Sequence, residues 1–119
     1  MNTIYGIKNC DSVKKARKLL EENEVTYQFH DFRADGITKK LLADWLKSVP
    51  YTLLLNKRST TWKQLDESVK SIVNIGASNQ EIIDLFIAHP TLIKRPVLVN
   101  DNDEITVGFS EQDYIALCK

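Results

Sequence analysis

Two cysteines, two histidines, three prolines and four glycines are spread through 119 residues, and each shortage excludes something. Cys10 and Cys118 are too few to staple a small secreted scaffold. A zinc site would need both cysteines together with His30 and His89, and no two of the four stand at finger-like spacing. A metal-free protein is expected. So few glycines and prolines leave no room for a linker rich in either. Charge of one sign is also missing, because sixteen Lys and Arg balance sixteen Asp and Glu. That balance removes the long-range attraction that nucleic acid or an anionic membrane would exert. Neither is expected as a direct partner, although a local basic patch stays open. No apolar run approaches the roughly 18–20 residues of a membrane span. Met1-Asn2-Thr3-Ile4-Tyr5-Gly6 has neither the basic nor the apolar region of a signal peptide, and a cytoplasmic location is expected. What is present is an ordinary globular mixture, 43% hydrophobic and 27% charged. The length suits one domain, commonly about 100–150 residues.

Thr3-Ile4-Tyr5 is a short β-prone run closed by Gly6. Val13, Ala16, Leu19 and Leu20 then recur at helical spacing, with Lys14, Lys15, Arg17 and Lys18 between them. The pattern predicts an amphipathic helix of about four turns. Asp11 and Ser12 are cap-type residues at its start, which puts Cys10 at the strand-to-helix junction. Val25 to Phe32 alternates as a second strand, ended by Ala34-Asp35-Gly36. A β-α-β opening implies parallel pairing and a right-handed crossover. The middle reads as helical. Ile37 to Val49 carries Leu41, Leu42, Trp45 and Leu46 on one face and is stopped by Pro50. Tyr51 to Leu55 is a short helix, and Gln64 to Ile75 is weakly patterned. Ser78 and Glu81 form a capping box for a helix that buries Ile82, Ile83, Leu85, Phe86 and Ile87. Val97-Leu98-Val99 and Glu104 to Val107 flank a turn as a hairpin, and Ser110 is placed to cap a last helix, Glu111 to Leu117. This order matches an α/β thioredoxin-like fold with a mixed four-stranded sheet. It reads as one domain over residues 1–119, with a helical insertion over about 37–90.

Cys10 carries the strongest chemical signal. Thiolate is the reactive form of cysteine, and the partial positive charge at a helix N-terminus stabilises it. Lys8 and Lys14 would add positive charge. Against this stands the general tendency of free cysteine to be a small buried hydrophobe. The polar neighbours Asn9, Asp11 and Ser12 argue for exposure. Val13 occupies the place where a Cys-x-x-Cys pair would have its second thiol, so a resolving thiol must come from elsewhere. Cys118 reads as a bystander, and His30 and His89 read as structural. Arg95-Pro96 comes next. Its peptide is either cis, a constrained feature, or the commoner trans proline opening an edge strand. Arg95 is a solvated charge or an anion clamp near the thiolate. In Asn56-Lys57-Arg58-Ser59-Thr60-Thr61, two cations and three hydroxyls share an expected loop. They either hold an anion or cap the helix that follows.

Tyr5-Gly6-Ile7-Lys8-Asn9-Cys10-Asp11-Ser12-Val13-Lys14-Lys15-Ala16 resembles the ArsC-related family of the ArsC/Spx superfamily. The likeness continues through Asn56-Lys57-Arg58-Ser59-Thr60-Thr61-Trp62, His89-Pro90, Lys94-Arg95-Pro96-Val97 and Val107-Gly108-Phe109-Ser110-Glu111, in order along nearly the whole chain. It is nearest to the YffB-like branch, sister to the Spx-type regulators. The resemblance implies a thioredoxin-like fold with an inserted helical subdomain, a catalytic Cys10, and an anion-binding Arg95 before a cis Pro96. Lys8, Asn9, Arg58, Arg95 and Pro96 are the candidate residues for binding a substrate, glutathione or another anion.

The departures from the family pattern narrow the chemistry. Plasmid-type arsenate reductases of the family place three arginines around the oxyanion. Here Arg95 matches one; Asn56 takes the place of the second, with Arg58 two residues on; Gly108 replaces the third. Losing two charge-assisted contacts costs several kcal/mol, at roughly 1.5–3 kcal/mol each. Spx-type regulators carry a Cys-x-x-Cys switch, which Val13 breaks. The expectation is a glutathione-dependent monothiol reductase, with Cys10 as nucleophile and glutathione as the resolving thiol. The alternatives are an arsenate reductase coupled to glutathione and glutaredoxin, and an Spx-like regulator binding RNA polymerase. No bound cofactor is expected. Glutathione or a small thiol or disulfide would be the partner, with glutaredoxin a further candidate, and the protein a monomer.

Overall fold

β1 (Asn2–Gly6) alternates partly exposed residues with the buried Ile4 and Gly6, and α1 (Asp11–Glu22) returns over the sheet. The face of α1 that goes inward is Val13, Ala16 and Leu20, spaced three and four residues apart as a helix stripe requires. β2 (Tyr27–Asp31) then pairs parallel with β1, and β3 (Val97–Val99) pairs antiparallel with β1 on its other side. β4 (Ile105–Val107) closes a hairpin with β3, giving the strand order β2-β1-β3-β4. The sheet is mixed and four-stranded. β2 is shorter than its alternation predicts, because Glu24 turns the chain at φ 57° and Val25 N still bonds back to Leu20 O of α1 at 2.9 Å. α7 (Glu111–Leu117) packs on α1, and Ser110 Oγ accepts from Asp113 N at 3.4 Å at its start. Ile4, Ala16, Leu20, Leu98 and Tyr114 form the buried cluster between these layers. Each large apolar side chain buried there contributes about 1.5–3 kcal/mol.

This computed structural model describes residues 2–117, in two units: Met1–Gly36 with Arg95–Lys119, just described, and Ile37–Lys94. The second unit holds α2 (Lys39–Leu46), α3 (Tyr51–Leu54), α4 (Thr60–Gln64), α5 (Glu67–Ile75), α6 (Asn79–Ala88) and a 3-10 turn at Pro90–Leu92. Thr38 caps α2 by accepting from Leu41 N. The helix ends at Leu46, earlier than its apolar pattern predicts. Lys47 N and Ser48 N tighten onto the carbonyls three residues back, Asp44 O and Trp45 O, and Val49 N closes the last turn onto Trp45 O before Pro50. The weakly patterned stretch from Gln64 to Ile75 resolves into the end of α4 and the whole of α5. Leu65 and Asp66 adopt extended backbone between them, and that break blurs any single periodicity. Ser78 and Glu81 complete the expected capping box on α6. α2 packs on α6, with Leu42, Trp45, Ile82 and Phe86 buried. Among the described residues no helix is long and apolar enough to cross a membrane.

Candidate functional site

Strand register sets four backbone positions side by side at one end of the sheet. Gly6 pairs with Asp31 across β1 and β2. Tyr5 pairs with Val97 across β1 and β3, so Pro96 comes beside Gly6. Gly108 N donates to Pro96 O at 2.8 Å, extending the row past β4. The segments leaving the strands at this end are therefore Ile7–Cys10, Phe32–Gly36, Arg95-Pro96 and Gly108-Phe109. The Arg95–Pro96 peptide is cis, as the family resemblance implies. β3 is an interior strand, so Pro96 does not open an edge strand. Pro96 is buried and Arg95 half-buried.

Cys10 is the N-cap of α1, with extended backbone at φ −77° and ψ 127°. This corrects the assignment of the cap to Asp11 and Ser12, which are the first two helical residues. The cap is set by the backbone: Cys10 O already accepts from Lys14 N at 3.0 Å, and Cys10 N donates to Ile7 O at 3.1 Å. Asp11 keeps a favourable place in the first turn, next to the positive end of the helix. The Cys10 side chain is a free thiol, half-buried, and makes no capping hydrogen bond. Helix geometry leaves the first-turn N–H groups without intrahelical partners at this same end. Three residues on, Val13 is fully buried. A Cβ built on Gly6 would lie 2.6 Å from Val13 Cγ2, so Val13 seats α1 on the end of β1. Cys118 lies outside the described residues.

Asp31 is the residue that the sequence analysis missed. Its carboxylate accepts from Lys8 N at 3.3 Å, Arg33 N at 2.8 Å and Ala34 N at 3.4 Å. Burial would raise its pKa, but the N–H groups of Arg33, Ala34 and Lys8, with the Arg33 charge, outweigh that and hold it below the usual carboxylate value. The available signal was an Asp at a strand end before turn residues, where its side chain bonds nearby backbone.

Lys8 and Asn9 are exposed on the loop before Cys10, at the sheet end that carries Arg95 and Pro96. Arg58 belongs to the second unit and is exposed; its backbone N donates to Asn56 Oδ1 at 3.0 Å. The capping expected of that segment is present. Ser59 Oγ accepts from Trp62 N at 3.1 Å, and Thr61 and Thr91 hydroxyls meet at 2.6 Å. Lys57 Nζ donates to Asn74 Oδ1 at 2.6 Å and sits 5.4 Å from the Trp62 ring centre. His30 Nε2 hydrogen-bonds Gly36 O at 2.7 Å, and the ring packs beside Tyr5 at 5.0 Å. Among the described residues no cluster of three or more His, Cys, Asp or Glu is placed to hold a metal ion.

The mixed sheet, its β-α-β opening and the cysteine at the first helix define a thioredoxin-like fold bearing one thiol at the helix start. The chain belongs to the ArsC family, whose model matches residues 5–117. It is 40% identical over 116 residues to an uncharacterized protein of Haemophilus influenzae, covering 98% of this chain and 97% of that one. The solved structure of a YffB protein superposes with a TM-score of 0.88 at 38% identity, over the whole of both chains. The global transcriptional regulator Spx of Streptococcus mutans is 29% identical over 118 residues, covering 95% of this chain and 80% of the regulator.

Proposed function

We propose that this chain is a cytoplasmic, glutathione-dependent monothiol reductase in which Cys10 is the nucleophile. The observation that carries the reading is the half-buried free thiol at the start of α1, with a fully buried Val13 where a second thiol would stand. Cys10 thiolate attacks a mixed disulfide of glutathione and a small thiol, forming a Cys10–glutathione disulfide and releasing the small thiolate. A second glutathione thiolate then attacks that bond, regenerating Cys10 thiolate and leaving oxidised glutathione. Arg95 at the same sheet end, and Lys8 on the loop, supply cations for the tripeptide's carboxylates. Arg58 and Asn9 are further candidates for those contacts.

Turnover of a small mixed disulfide by glutathione tests this. Cys10→Ser should abolish the catalysed rate, whereas Cys118→Ser should leave it. Equal rates for wild type and Cys10→Ser would end the enzyme reading. The relation to Spx regulators favours a second reading, a binding module acting on the transcription machinery. That reading predicts no turnover in wild type together with retention of RNA polymerase on the immobilised protein.

A further inference from the structure

We infer that Asp31 is a positioning residue for Cys10, fixing the β1–α1 loop through one carboxylate that holds backbone N–H groups of two separate chain segments. The inference rests on Cys10 being the reactive thiol. Asp31 Oδ1 accepts from Arg33 N at 2.8 Å and Ala34 N at 3.4 Å, which locks it into the turn after β2. Asp31 Oδ2 accepts from Lys8 N at 3.3 Å, 23 positions away in the chain and two before Cys10. The backbone of Asp31 is itself held, since its N–H donates to Asp35 Oδ2 at 3.0 Å and its carbonyl accepts from Asp35 N at 2.7 Å. The next N–H along, that of Phe32, donates to Gly6 O, the end of β1, at 2.8 Å. The carboxylate thus continues the β1–β2 connection outward, beyond the last strand residue, to the loop that carries the thiol.

An ionised carboxylate accepts on both oxygens and carries no donor of its own. An asparagine offers one oxygen and one NH2 group. With its oxygen toward Arg33, the NH2 group faces the Lys8 N–H, donor against donor. Asp31→Asn is therefore nearly the same shape and loses one of the two ties. Loosening the loop leaves the thiol less often aligned with the disulfide it attacks, which affects the chemical step more than ground-state binding.

The test compares wild type, Asp31→Asn and Asp31→Ala well below their melting temperatures. Three quantities are read: amide exchange at Lys8, the rate of Cys10 alkylation by iodoacetamide, and kcat and KM for mixed-disulfide turnover with glutathione. Exchange at Lys8 should quicken about tenfold in both variants. Alkylation should change by at least about twofold, and kcat should fall roughly three- to tenfold with KM for glutathione nearly unchanged. Unchanged exchange at Lys8 in Asp31→Asn would overturn the proposal. So would faster exchange with unchanged kcat and alkylation, which makes Asp31 structural only. If Cys10→Ser keeps wild-type turnover, the reductase reading fails by itself. The alkylation rate then decides for Asp31, an altered rate sustaining the positioning role and an unaltered one overturning it.

Discussion

Asp31 makes a claim about acid stability that is separate from catalysis. Burial would raise its pKa, but the bonds from Arg33, Ala34 and Lys8 and the charge of Arg33 bring it below the usual 3.8. A group depressed in the folded state contributes stability that is fully present above its unfolded pKa and is lost as pH falls through the folded one. In urea unfolding from pH 7 to pH 2.5, wild type should therefore exceed Asp31→Asn by a constant margin above about pH 5, narrowing below about pH 4. A margin that stays constant throughout would show that the carboxylate's charge is not what the three N–H groups recognise. Tyr114 makes the opposite kind of claim. Its ring is fully buried in the core, edge-on to Phe109 at 5.1 Å, and its hydroxyl has no hydrogen-bond partner among the described residues. Burying an unpaired hydroxyl costs about 1–3 kcal/mol. Tyr114→Phe keeps the ring and removes the orphan, so stability in urea should rise by about 1 kcal/mol. A fall would mean that the hydroxyl finds a partner in solution.

The junction of β1 with α1 is where element packing sets the site. Gly6 lies so close to Val13 that a methyl group there would sit 2.6 Å from Cγ2, and Val13 is in the first turn of the helix that Cys10 caps. Gly6→Ala must displace the buried Val13 side chain or the turn that carries it. A loss of about 1–3 kcal/mol is expected in urea unfolding, as for overpacking elsewhere. Shrinking the partner in a Gly6→Ala, Val13→Ala double variant should cost less than the sum of the two single changes. Additive losses would show that the two positions do not touch. The same junction shows what the sequence could reveal. The helix, the parallel pairing and the capping box at Ser78 were legible because periodicity and cap chemistry are local. The N-cap at Cys10 was not, because cysteine is no usual capping residue and backbone bonds to Ile7 and Lys14 fix the cap. The Asp31–Lys8 bond was hidden for another reason. It joins residues 23 apart, and only the β1–β2 register brings them together.

Across the whole chain the charges cancel, so the case for or against an oxyanion substrate rests on which cations reach one place. The sheet end that bears Cys10 carries Arg95, with Lys8 on the loop, and Gly108 stands beside Pro96 with no charge to offer. Asn56 stands where the family resemblance would place a second arginine, with Arg58 two residues on. A divalent arsenate beside a thiolate is repelled unless cations offset both charges. Two missing charge-assisted contacts remove several kcal/mol of the binding, at roughly 1.5–3 kcal/mol each. Arsenate should therefore be reduced poorly or not at all, even with glutathione and glutaredoxin supplied, under conditions where the mixed disulfide turns over. The natural repair, Gly108→Arg, meets an obstacle in the backbone. Gly108 has φ 79°, which costs a side-chain-bearing residue about 1–2 kcal/mol. The variant should lose that much stability in urea while gaining arsenate affinity, measured as protection of Cys10 from alkylation. Stability lost without added protection would place the residue 108 side chain away from the thiol. Efficient arsenate turnover by the unaltered protein would show that Arg58 and Lys57 compensate for the missing arginine, and would displace the monothiol reading in favour of arsenate reduction.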